Sequence, residues 1–346
     1  MADMYFDDDA DLAHIEGRTI GYIGYGNQGR AQALNMRDSG LNVIASSPMS
    51  WSSDKARADG IPVHSLEEVA KKADVLMMLI PDEVMPAYYK EQLEPHLRDD
   101  MVLNFASGYN ITFDLLLPPE FVDVVMVAPR MIGKGVRDTF LRGDGFPSLV
   151  AVEQDASGEA LNRTLAIAKG IGSTRAGVVM SSFEEEATLD LFSEQSGDLF
   201  FPRIMFEVLT EAGFSPEAIL LELYASGELS EIYAAARDMG LWHQLRLHSR
   251  TSQYGQQITS RKFLDMDATR DSLRKAVKHI QSGEFAREWQ EEQDKGIPNL
   301  ISETNENLKH PMQEAENRLY RMLGRRKSDI TTATWLTGEE DDWEWE

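Results

Sequence analysis

The sequence predicts an α/β fold followed by an all-α part, and two observations carry that prediction. Short apolar runs alternate with helix-forming stretches up to about residue 181, the pattern of crossover units in a doubly wound parallel sheet. From about Ser182 the strand-like runs cease, and helical periodicity continues to about Arg326. A chain of 346 residues is long enough for two cores. The expected organisation is a sheet domain over residues 1–181, a helical domain over 182–327 and an acidic tail over 328–346.

The first strand, around Ile20 to Ile23, runs directly into Gly24-Tyr-Gly-Asn-Gln-Gly29, and the helix formers Arg30 to Arg37 come next. In a dinucleotide-binding turn of this kind, Gly24 permits the bend, Gly26 lets backbone approach a pyrophosphate, and Gly29 lets helix and strand pack closely. The helix start supplies N–H groups to the phosphates. Tyr25, Asn27 and Gln28 complete the turn and are further candidate cofactor contacts. A glycine-rich turn with only a packing role is the competing reading.

Leu41 to Ala45 reads as the second strand, and the residues just beyond it select the cofactor. An acidic residue for the ribose hydroxyls is missing there; the chain offers Ser46, Ser47, Ser50, Ser52, Ser53 and Lys55. Hydroxyls and a lysine suit a 2′-phosphate, which favours NADPH, while Asp54 leaves room for NADH. Val75 to Ile80, Val102 to Ala106, Val122 to Ala128 and Ser148 to Val152 read as further strands, with helices over Ser65 to Ala73 and Val84 to Leu97 between them. Ligands in such sheets sit beyond the carboxyl ends of the strands. Pro81, Asp82, Ser107 and Gly133 are therefore additional cofactor-binding candidates.

The net charge of −24 argues against nucleic acid and anionic membranes as partners. No run approaches the roughly 18 apolar residues of a membrane span, and the N-terminal stretch is acidic rather than signal-like. Without cysteine there is no disulfide or thiolate site, so the expected location is the cytoplasm. The segment Gly338 to Glu346 reads as a solvated tail, its two tryptophans making a docking peptide the alternative.

Candidate chemistry opens the helical part. Glu186, Asp190 and Glu194 recur every four residues, which puts three carboxylates on one helix face. Like charges so placed repel, and a hard cation such as Mg²⁺ removes the conflict; a solvated acidic stripe fits the spacing equally. Glu222 and Glu228 form a second acidic pair, and Ser226-Gly227 can break a helix between them. The seven histidines show no ligand spacing.

Beyond these readings, the chain resembles the short (class I) ketol-acid reductoisomerases up to about residue 325. The resemblance rests on Asp8-Ala-Asp-Leu12, Gly24 to Gly29 with Leu34 to Gly40, Pro81-Asp-Glu-Val84, Ala128-Pro129, Ala168 to Gly172, Thr174 to Gly177, Asp190-Leu-Phe-Ser-Glu-Gln195 and Ile280 to Ala286. It implies a Rossmann domain followed by a knotted helical domain, and at least a homodimer whose partner subunit completes the site with acidic residues. It further implies a Mg²⁺-dependent alkyl migration on an acetohydroxy acid, followed by reduction with NADPH. In that family's pattern Asp190 and Glu194 hold the first metal, Glu186 is a proton-transfer or supporting acid, Glu222 and Glu228 are the partner-supplied metal and substrate ligands, and Ser249 holds the substrate carboxylate.

Departures fall at chemical positions. Ser107 stands where the family has a histidine, Arg130 where it has a lysine, and Lys134 where it has a second histidine. Arg stays charged where Lys can exchange a proton, so the swap is not conservative. Two residues are inserted between Glu222 and Glu228, which endangers a second ion and with it the migration step. Glu186, Arg130, Ser107 and Lys134 are the catalytic candidates. The leading expectation is a Mg²⁺-assisted NADPH reductase of a small 2-keto acid or a related C=O or C=N substrate in a biosynthetic pathway. The alternatives are a true reductoisomerase converting 2-acetolactate to 2,3-dihydroxyisovalerate, and a catalytically silent nucleotide-binding homologue.

Overall fold

A computed structural model describes residues 2–47, 50–197 and 199–325, together with 333 and 336. The expected acidic tail lies almost wholly outside the described residues. The chain divides into two compact units between Asp190 and Leu191, inside the helix Phe183–Gln195.

The first unit is built on a sheet of β1 (Met4–Tyr5), β2 (Thr19–Ile23), β3 (Asn42–Ser46), β4 (Val75–Met78), β5 (Val102–Phe105), β6 (Asp123–Pro129), β7 (Ser148–Gln154) and β8 (Val178–Met180). Their spatial order is β1-β8-β7-β6-β5-β4-β2-β3. From β2 to β6 every pairing is parallel. β7 runs antiparallel to β6, and β1 antiparallel to β8. The sequence showed the six longer strands and missed β1 and β8, which have two and three residues and too little alternation to register.

Side chains alternate faces along each strand. Ile20, Tyr22, Met77, Val125 and Val127 enter one core cluster, whereas Ile23, Leu76, Met78, Val124 and Met126 enter the other. Burial on both faces is why these strands read as unbroken apolar runs. At the end where β6 begins, buried Asp123 accepts from Arg163 Nη1 (2.8 Å) and from Ser157 N and Oγ (2.9 and 2.7 Å).

Because β2 to β6 are parallel, the segments that leave their carboxyl ends all emerge at one end of the sheet. β2 and β4 are neighbours with β3 outside β2, so the strand order reverses at β2. A reversal of this kind opens a crevice beyond the strand ends, and the glycine turn lies directly after β2.

The second unit is helical, with helices Phe200–Glu211, Pro216–Leu220, Glu228–Met239, Met266–Gln281, Glu284–Asp294, Pro298–Leu308 and Pro311–Met322. Its core includes Phe206, Ile219, Leu220, Leu223, Ala315 and Leu319. The periodic stretch Pro216 to Arg237 is broken: a wider turn over Leu221–Ala225 leads to Gly227 at φ +90°, and a new helix starts at Glu228. The expected helix over Val84 to Leu97 is likewise interrupted, by a wider turn over Tyr89–Leu93 and a tighter one over Glu94–His96 that contains Pro95.

Candidate active site

The glycine turn has the shape its sequence asked for. Gly24 sits at φ +104°, and a Cβ there would fall 2.5 Å from the Leu79 carbonyl oxygen. A Cβ on Gly29 would lie 2.3 Å from the Gly24 carbonyl, so helix and strand approach as closely as backbone allows. Gly26 is the N-cap of the helix Asn27–Asp38 and faces open space. Helix geometry leaves the N–H groups of the first turn without intrahelical partners, facing the place a pyrophosphate occupies in such folds. Gln28 Nε2 donates to the Met131 carbonyl (2.7 Å), and Gly133 packs so closely on Asn27 that a Cβ would lie 2.0 Å from its carbonyl oxygen. The loop after β6 is thereby tied to the cofactor turn. Tyr25 turns inward: it is buried, and its hydroxyl donates to Asp59 Oδ2 (3.0 Å), which also pairs with Arg30 Nε (2.7 Å).

Beyond β3, Ser46, Ser52 and Ser53 are buried. Ser53 Oγ donates to the Ser47 carbonyl (3.3 Å), whereas Ser52 Oγ has no hydrogen-bond partner among the described residues. Lys55 Nζ stands 5.2 Å from the centre of the exposed Trp51 ring. Pro48, Met49 and the side chain of Ser50 are outside the described residues.

A charged cluster gathers where β4, β5 and β6 end. The side chain of Glu186 is fully buried in the first half of the helix Phe183–Gln195. Its Oε2 accepts from Gly108 N (2.6 Å) and its Oε1 from Arg130 Nη2 (2.5 Å). The same guanidinium reaches one helical turn on, Nη1 donating to Asp190 Oδ1 (3.0 Å). Burial raises the pKa of Glu186, while the Gly108 N–H and the Arg130 charge work against that rise. The outcome is a carboxylate held in place by two N–H groups yet receptive to a proton.

Asp82 joins the same cluster. Burial, reinforced by Glu83, Glu186 and Asp190, pushes its carboxyl up to about 7, and the Ser107 hydroxyl opposes this with a hydrogen bond. Asn110 Nδ2 donates to Asp82 Oδ1 (3.0 Å) and to its carbonyl (3.2 Å). Ser107 Oγ accepts from Tyr109 N (3.2 Å). Pro81, beside Asp82, is exposed. Lys134 pairs with Asp138 one turn on (3.5 Å).

The first unit therefore brings together Asp82, Ser107, Arg130, Glu186 and Asp190, and adds the Gly108 N–H and Asn110, whose roles sequence reading missed. Their signal was only a position just after β5. Glu194 comes one turn after Asp190 on the same helix and is exposed. In the second unit Glu222 lies in the wide turn and Glu228 opens the next helix, its N–H donating to Ser226 Oγ (3.3 Å); both are exposed. Ser249 is exposed and caps the short helix Arg250–Tyr254, accepting from Ser252 N (3.2 Å). Among the described residues, His279, Glu284 and Glu288 have ligand atoms within 4.8 Å of one another, a surface grouping that the histidine spacing did not reveal.

Two family models match the chain almost end to end. One describes the acetohydroxy acid isomeroreductase NADPH-binding domain and covers residues 14–177; the other describes the ketol-acid reductoisomerase C-terminal domain and covers residues 183–325. The chain belongs to the ketol-acid reductoisomerase family. It is 44% identical over 328 residues to the Pyrobaculum calidifontis protein named ketol-acid reductoisomerase (NADP(+)), covering 93% of this chain and 99% of that one. Identity to the Methanocaldococcus jannaschii protein of the same name is 41% over 332 residues, covering 94% and 100%. The solved structure of an NADH-preferring ketol-acid reductoisomerase from an uncultured archean superposes with a TM-score of 0.86 at 35% identity, covering 92% of this chain and 98% of that one.

This family member is an NADP-binding oxidoreductase of biosynthetic type with a Rossmann-like sheet domain and a helical C-terminal domain. The relatives favour the reductoisomerase alternative over the leading expectation of a reductase that has lost migration. Among the described residues no helix is long and apolar enough to cross a membrane.

Proposed function

We propose that this family member is an NADPH-dependent, Mg²⁺-assisted ketol-acid reductoisomerase that converts 2-acetolactate to 2,3-dihydroxyisovalerate. The observation that carries the reading is the acidic cluster around buried Glu186 at the carboxyl ends of β4 to β6, tied to the glycine turn through Gln28 and Gly133 in a chain whose relatives carry that name. Asp190 and Glu194, one turn apart, offer the hard oxygen donors that suit Mg²⁺. When bound, the ion polarises the alcohol and carbonyl oxygens for alkyl migration, and NADPH supplies the hydride.

The chain's own residues do the rest. The helix start at Asn27 holds the pyrophosphate, and Ser52 with its neighbouring hydroxyls and Lys55 receives the 2′-phosphate. Glu186 takes and returns a proton, with Gly108 N–H and Arg130 fixing its carboxylate between transfers. Asp82 keeps its proton up to about neutrality and spares the cluster a further negative charge. Ser249 holds the substrate carboxylate, as in the family pattern. Phe201, Ile204, Met205 and Val208 on the helix Phe200–Glu211 are exposed apolar side chains, which supports a homodimer in which Glu222 and Glu228 serve the partner's site.

A second reading, reduction without migration, is favoured by Ser107, Arg130 and the two residues inserted between Glu222 and Glu228. Parallel kinetics separate the two: NADPH and Mg²⁺ with 2-acetolactate, and with the already migrated 3-hydroxy-3-methyl-2-ketobutyrate. Turnover of both substrates supports reductoisomerisation. Turnover of the second alone supports the reductase, and silence on both with tight NADPH binding supports a silent homologue.

A further inference from the structure

We infer that Tyr25 and Asp59 form a clasp that fixes the helix Ser50–Ala58 against the glycine turn, and that this clasp sets the preference for NADPH over NADH. The inference deepens the coenzyme part of the proposed function and rests on it.

Asp59 closes that helix. Gly60 follows at φ +78°, its N–H donating to the Arg57 carbonyl (3.0 Å), and the Ile61 N–H donates to the Ala56 carbonyl (2.9 Å). Together these bonds make a glycine-capped ending that satisfies two of the last helical carbonyls locally. The carbonyl of Asp59, just past the helix, accepts from Arg37 Nη1 (2.6 Å). Its carboxylate accepts from Tyr25 Oη (3.0 Å), Arg30 Nε (2.7 Å) and Arg30 Nη2 (3.0 Å). Arg30 and Arg37 lie two turns apart on the helix Asn27–Asp38, which places them on one face. One residue thus joins the glycine turn, the helix that follows it and the end of the helix after β3.

Of these bonds, the one from Tyr25 reaches the turn itself. Tyr25 stands between Gly24 and Gly26 with its ring buried. The Arg30 hydrogen bonds hold Asp59 below the ordinary carboxylate range, so Tyr25 donates to a charged acceptor, the stronger kind of hydrogen bond.

The far end of the clasped helix carries the discriminating groups. Buried Ser52 and Ser53, assigned above to the 2′-phosphate, come seven and six residues before Asp59. Along a helix that is about 9–10 Å from the clasp, so a pivot of about 10° at Asp59 displaces them by roughly 1.7 Å. A hydrogen bond tolerates only about half an ångström. The pyrophosphate at the turn is common to both coenzymes, whereas the 2′-phosphate belongs to NADPH alone. Loosening the clasp therefore weakens NADPH and spares NADH. Tyr25 and Asp59 are positioning residues, acting through the place they give to Ser52 and Ser53.

Full-length protein is titrated with NADPH and with NADH by fluorescence, comparing wild type with Y25F, D59N, S52A and the double variant Y25F/S52A. Y25F keeps the buried ring and removes only the donor. Y25F and D59N are each expected to weaken NADPH about tenfold, a difference of about 1.4 kcal/mol, and NADH by less than about twofold. In the S52A background Y25F should cost less, because both changes damage the same pocket. Thermal melting reports that each variant is folded; if D59N is not, Y25F carries the comparison. Equal weakening of the two coenzymes, or affinities unchanged from wild type, would overturn the inference, as would full additivity of Y25F and S52A. The NADPH reading fails separately, in wild type alone, if NADH binds as tightly as NADPH; the change in affinity ratio from wild type to variant still decides the clasp.

Discussion

Replacing Asp82 by Asn tests the electrostatics of the cluster directly. The Asp82 carboxyl is raised from 3.8 to about 7, chiefly by burial and then by Glu83, Glu186 and Asp190. At about 1.36 kcal/mol per decade, that displacement corresponds to about 4 kcal/mol, an upper bound because Asp82 is only partly buried. Below the ordinary pKa both folded and unfolded chains hold the proton, and Asp82 costs nothing. As pH rises past 3.8 the unfolded chain ionises while the folded one does not, so stability falls until pH passes about 7 and is flat beyond. Asn at this position does not titrate and keeps the oxygen that accepts from Asn110. Urea unfolding in the presence of a chelator, at about pH 4.5, 6 and 8, should therefore show D82N gaining on wild type as pH rises, by up to about 4 kcal/mol at the highest pH. A stability difference that is constant across that range would refute the assignment of the raised pKa to Asp82.

Three further variants probe other parts of the same geometry. R163M leaves buried Asp123 without its guanidinium and should cost about 3–5 kcal/mol in denaturant unfolding, much of it recovered in the double variant D123N/R163M. S52A removes a buried hydroxyl with no partner among the described residues, so it should leave folding intact and weaken NADPH about tenfold while sparing NADH, read by fluorescence titration with each coenzyme. G29A forces a Cβ to within 2.3 Å of the Gly24 carbonyl; melting temperature and NADPH affinity should both fall, by an energy of about 1–3 kcal/mol.

Much of the fold was legible because buried parallel strands carry their signal in continuous apolar runs, as in Val75 to Met78 and Asp123 to Ala128. The glycine turn was legible for a stronger reason: Gly24 and Gly29 occupy places no other residue fits. The antiparallel return of β7 was not, since strand direction depends on how the intervening helix Gly133–Arg142 packs. Tyr25 shows the limit of motif reading, because its side chain belongs to an Asp59–Arg30 network rather than to the crevice. In the acidic cluster the four-residue spacing of Glu186, Asp190 and Glu194 was visible. That Arg130 would cross from β6 and bridge two of them depends on a contact 56 and 60 residues distant in sequence. The raised pKa of Asp82 is likewise a product of burial and of three neighbouring carboxylates, two of them from a distant helix, which a local reading cannot supply.

The central claim is that methyl migration and reduction occur on this one chain, and an isotope settles it most directly. With 2-acetolactate labelled by carbon-13 in the methyl group on C2, the purified enzyme, Mg²⁺ and NADPH should give 2,3-dihydroxyisovalerate with the label in one of the two methyls on C3, one NADPH being oxidised per labelled product. NADPH oxidation that leaves the label on C2, in 2,3-dihydroxy-2-methylbutyrate, would contradict the account and leave a reductase in its place.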